Sequence, residues 1–115
     1  MANYILKNEN IILRFSCGAM GLLHDYLLKT IESEQIEVSC KLKEFIGLLD
    51  QDVYGSGAIW VELDEHLPKK EDRIMLKTLV SKIIDRFKEE KILRDEFAPY
   101  IIEGLEGFRD KILDD

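Results

Sequence analysis

Asp50, Asp52 and Gly55 stand where a calcium-binding loop would carry its first two oxygen ligands and its turn glycine, at positions 1, 3 and 6. The rest of the pattern fails. Position 5 is Tyr54, position 12 is Val61 where a bidentate glutamate is required, and Glu62 arrives one residue late. The expectation is an ordinary turn-rich loop. Asp64-Glu65-His66 has acid/base residue types in a row, but solvated side chains ahead of a helix explain it as well. Cys17 and His24 lie about two helical turns apart, roughly 10 Å, too far for a thiol–imidazole hydrogen bond along one straight helix. Neither His24 nor His66 belongs to a metal-ligand spacing. No enzyme activity, cofactor or metal is expected.

The strongest signal is one of charge. From Glu44 through Asp50, Asp52, Glu62, Asp64 and Glu65 the chain accumulates six carboxylates before its next base, Lys69. The same stretch holds the only tryptophan, Trp60, beside Tyr54. Aromatic side chains ringed by acids suit a basic protein partner, and Asp50, Asp52, Tyr54, Trp60, Glu62, Asp64 and Glu65 are the candidate contact residues. Trp60 itself has two readings, a core residue of an alternating strand or an exposed anchor.

A formal net charge of −7 over 115 residues disfavours duplex nucleic acid and anionic membrane surfaces. The one basic block, Lys69 to Arg94, has nine bases interleaved with five acids and no aromatic ladder, so it reads as an ion-paired helix face. No run of about 18 apolar residues is present to span a membrane. The segment from Asn3 to Asn10 has no secretion-signal pattern, and the expected compartment is the cytoplasm. Cys17 and Cys40 fit no zinc signature and are read as two small buried apolar residues, with a single disulfide as the other reading.

The elements that must position these residues follow from periodicity. Residues 4–7 and 11–15 flank an Asn-rich turn and read as a hairpin. Ser16 caps a helix whose face is Ala19, Leu22, Leu23, Tyr26, Leu27, Thr30 and Ile31. A shorter helix after Ser39 turns Leu42, Phe45, Ile46 and Leu49 inward. Asp50 to Gly57 is loop, and Ala58–Leu63 is a strand with Ile59, Val61 and Leu63 on one face and Trp60 and Glu62 on the other. A helix over 69–91, with Pro68 in its first turn, carries the stripe from Leu76 to Phe87 and the i,i+4 pairs Arg86–Glu90 and Glu90–Arg94. Phe97, Ile101, Leu105, Phe108 and Ile112 mark the last helix, where Gly104 and Gly107 suggest close backbone approach.

The expected architecture is one domain over residues 1–115, helix-rich α+β, with about four helices, an N-terminal hairpin and one further strand. An all-α bundle is the alternative. The expected function is a small acidic protein-binding module. Its physical type is the immunity protein of a bacterial toxin system, which neutralises a basic toxin or enzyme domain, such as a nuclease, by occluding its active site. The alternative is a homodimeric structural or adaptor module, with the basic helix of one copy against an acidic block of the other.

Overall fold

The computed structural model describes residues 2–50 and 59–113. The chain opens with the expected hairpin, β1 (Ala2–Lys7) and β2 (Asn10–Ser16), antiparallel and joined by Asn8-Glu9. Both turn residues have positive φ, 51° and 67°, the combination whose twist matches that of the strands. Asn8 adopts it readily, while Glu9 is a less usual occupant. A bulge between Ile5 and Leu6 shifts the register, so that Leu6 faces Ile11 but Ile5 faces Leu13. A third strand, β3 (Trp60–Glu62), adds to β1 in parallel and completes the sheet order β2-β1-β3.

Asn3 holds this sheet together from within. It is fully buried, its Oδ1 accepts from the Ile59 amide at 2.8 Å, and its Nδ2 donates to the Phe15 carbonyl at 3.4 Å. One side chain thus links the middle strand to both its neighbours and satisfies its own polar atoms in the core.

Five helices occur among the described residues. Ser16 Oγ accepts from the Ala19 amide at 3.2 Å and starts α1 (Cys17–Ser33). Gln35 ends it in a left-handed conformation, φ 52°, with the Ile36 amide returning to the Ile31 carbonyl. Ser39 caps α2 (Cys40–Gly47) and also donates to Asp72 Oδ1 at 2.6 Å, which ties α2 to a later helix. The expected strand over 58–63 is shorter than its alternation suggests, because Leu63–His66 closes a single helical turn, α3. Next come α4 (Lys70–Glu90) and α5 (Ala98–Lys111).

Two boundaries differ from the sequence expectation. Pro68 lies before α4, whose N-cap is Lys69, so the proline sets the entry to the helix and not its first turn. At the other end Lys91 takes φ 49° and breaks the helix, which carries Arg94 away from Glu90. The Arg86–Glu90 pair forms at 2.8 Å, but Arg94 instead approaches Glu96 at 3.8 Å.

The core lies between the helices and one sheet face. Ile5, Leu13, Phe15, Ile59 and Val61 supply that face. Leu23, Leu27, Phe45, Leu79, Ile83, Leu105 and Phe108 meet it from the helices, as their periodicity requires. Gly104 admits the Phe15 ring so closely that a Cβ would lie 2.6 Å from Phe15 Cε1, whereas a Cβ on Gly107 would meet nothing within 4 Å. Only one of the two glycines therefore serves close approach. Phe97, expected on the apolar stripe of α5, is its N-cap and is half exposed. The expectation of two buried cysteines is also corrected: Cys17 is half-buried, Cys40 is exposed, and both are thiols.

Candidate functional site: the outer face of the sheet

A strand with one buried face must present the other. The inward residues Asn3, Ile5, Leu13, Phe15, Ile59 and Val61 leave Tyr4, Arg14 and Trp60 pointing the opposite way. Register aligns these three in one row, since Tyr4 faces Arg14 on one side and Trp60 on the other. The Tyr4 and Trp60 rings lie 5.2 Å apart at 58°, and the Arg14 guanidinium carbon sits 6.0 Å from the Tyr4 ring centre. Trp60 is 60% exposed, so of its two readings the core is excluded.

Glu62 follows Trp60 on the same face, opposite Leu6. Partial withdrawal from water raises the pKa of its carboxyl above its ordinary value, and repulsion from Asp64, Glu65 and Glu9 raises it further. Asp64 and Glu65 come from α3, and Glu9 comes from the hairpin turn. Asp64 Oδ1 is buried with no hydrogen-bond partner among the described residues. The site therefore concentrates negative charge that the described part of the fold does not neutralise.

The structure divides the sequence-derived candidates. Trp60, Glu62, Asp64 and Glu65 come together. Asp50 belongs elsewhere, with its Oδ2 4.0 Å from His24 Nε2 on α1, whose Nδ1 in turn lies 3.1 Å from Asp25. Asp52 and Tyr54, and with them most of the calcium-like loop, fall outside the described residues. Tyr4, Glu9 and Arg14 are additions that sequence reasoning did not nominate. Alternation along β1 could have placed Tyr4 opposite Ile5, but the partner of Tyr4 depends on the bulge.

The basic block is largely engaged within the chain. Lys82 meets Glu34, the C-cap of α1, at 2.8 Å, and Lys88 meets Glu106 of α5 at 3.2 Å. Arg73 donates to the Leu67 carbonyl at 2.6 Å, and Arg86 also covers the Tyr26 ring at 5.3 Å. These surface pairs are worth little individually. They nevertheless pair the basic helix with acids of its own chain. Among the described residues no three His, Cys, Asp or Glu are grouped to hold a metal ion, and no helix is long and apolar enough to cross a membrane. No family model, no curated protein and no solved structure matches the chain.

Proposed function

We propose that this chain is a non-catalytic binding module that docks a basic protein on the outer sheet face, with Trp60 as anchor and Glu62, Asp64 and Glu65 as its electrostatic complement. The observation that carries the reading is the exposure of Trp60 on Tyr4 beside carboxylates that repel one another. A large aromatic left in water is a cost that partner burial removes, and tryptophan is enriched among residues that dominate binding energy. Cationic groups of the partner would relieve the mutual repulsion and accelerate encounter. The physical type is that of an immunity protein acting in the cytoplasm, its partner a basic toxin such as a nuclease whose active site the acidic face occludes.

The test compares the wild-type chain with Trp60→Ala and with the triple variant Glu62→Lys, Asp64→Lys, Glu65→Lys. Each is immobilised against a lysate of the source organism at low and high salt. One basic protein retained by the wild type, weakened by salt and lost from both variants while their circular dichroism is unchanged, is the expected result. Undiminished retention by the triple variant would remove this face from the reading. A salt-sensitive dimer that captures nothing would favour the self-associating alternative.

A further inference from the structure

A second surface, remote from the acidic face in its chemistry, carries an inference of its own. Two adjoining hollows, of about 410 and about 520 Å³, share Ser16 and Tyr100 as a common wall. The smaller is floored by Ala19 and Leu22 of α1, by Leu93 and Phe97 of the α4–α5 connection, and by Ile101 of α5. Its size falls within the range of small-ligand sites, and its lining is mostly apolar, as such sites require. Phe97 and Tyr100 expose about half their surfaces at its rim.

The charged side chains that line this trough have one sign. In a chain of net charge −7, no carboxylate lines either hollow among the described residues, whereas Arg94 lines the first and Arg14 the second. Arg94 is 80% exposed and forms an ion pair with Glu96 at 3.8 Å, too long for a hydrogen bond, so its donors have no hydrogen-bond acceptor among the described residues. The Tyr100 oxygen accepts from the Ser16 amide at 3.2 Å, and its own proton has no acceptor among the described residues. An apolar floor with cationic ends and an unspent hydroxyl proton complements an amphipathic anion. It does not complement the basic partner of the acidic face.

We infer that this trough binds an amphipathic monocarboxylate, its apolar body over Leu22, Phe97 and Ile101 and its carboxylate against Arg94, with Tyr100 as a second donor. The assignment is independent of the protein-docking reading, because Leu22, Arg94, Phe97, Tyr100 and Ile101 are not among that reading's contacts; Arg14 alone borders both surfaces.

Decanoate titrated into the ¹⁵N-labelled full chain tests it. Saturable amide shifts are expected at Leu22, Phe97 and Ile101, with none at Trp60 or Glu62. Arg94→Glu, an exposed substitution that leaves the remaining spectrum intact, should weaken the titration about fivefold or more, the loss of one charge-assisted contact. Uncharged decanol should bind weaker than decanoate by a similar factor. Absence of saturation, shifts centred elsewhere, or equal binding of decanol and decanoate would each overturn the assignment. The last outcome would leave an apolar surface of the kind a partner helix covers.

Discussion

The outer sheet face and the α1–α5 trough meet at the end of β2, and their chemistries are opposite. Arg14 points outward into the row with Tyr4 and Trp60, while its neighbour Phe15 points inward beneath Gly104 and seats α5. The outer face gathers Glu9, Glu62, Asp64 and Glu65, whereas the trough among the described residues is apolar and lined by no acid. Net charge therefore says little about any one surface of this molecule. A period-2 element separates what composition averages, and each region depends on a different buried contact that can be broken by itself.

Asn3 is the contact beneath the outer face. Asn3→Leu would leave the Ile59 amide buried without its acceptor, and only backbone pairing, such as the Tyr4 amide to the Ile59 carbonyl, would hold the start of β3 to β1. Loss of both buried hydrogen bonds should cost about 2–3 kcal/mol, since an orphaned buried donor carries its full desolvation penalty. Urea denaturation followed by Trp60 fluorescence should show the lowered midpoint and, before unfolding, an altered Trp60 environment. A cost below about 0.5 kcal/mol would mean that the backbone ladder to β1 and packing hold β3 without the Asn3 clamp.

Gly104 is the contact beneath the trough, and Gly107 is its built-in control. Alanine at Gly104 would drive a Cβ into the Phe15 ring, at a cost of about 1–3 kcal/mol that helix propensity offsets only in part. Alanine at Gly107 meets nothing within 4 Å and should stabilise by about 0.5–1 kcal/mol. Thermal denaturation of the two variants should shift in opposite directions, with Trp60 emission unchanged in the Gly104 variant because α5 lies on the other side of the sheet. Shifts of the same sign would refute the close approach.

The parts of this architecture that were legible in the sequence are those set by local pattern. Ser16 and Ser39 mark helix starts because a hydroxyl before an apolar-periodic run can cap, and both do. The stripes of α1, α2 and α4 follow from a period near 3.6. The hairpin turn was legible too, but not its register. A two-residue turn between Lys7 and Asn10 would, without interruption, pair Tyr4 with Leu13; the bulge moves the partner to Arg14 and creates the outer row. Nothing local announces that bulge, which keeps Leu13 and Phe15 in the core at the same time. The trough was invisible for a related reason. Phe97 continues the apolar spacing of α5, yet Lys91 turns the chain left-handed, and the connection that follows leaves Phe97 at the helix entrance, half in water.

The finest distinction between the two regions is electrostatic, and Glu62 measures it. Its folded-state pKa is raised, so the folded chain holds this proton more tightly than the unfolded chain does. Between the unfolded and folded values the native state binds more protons, and stability must fall as pH rises through that window. Charged Glu62 is thus a liability at neutral pH. Glu62→Gln should raise the melting temperature slightly at pH 7, and the advantage should vanish below the ordinary carboxylate pKa, where the wild-type side chain is neutral in both states. A difference between the two proteins that stays constant from pH 3 to pH 8 would show that hydrogen bonding or packing, not charge, sets it. A pH-dependent difference that shrinks when salt is added would assign the screenable part to Asp64, Glu65 and Glu9. That screenable part is the repulsion a cationic partner would relieve. Desolvation of Glu62, which salt leaves untouched, would persist in the complex and count against binding.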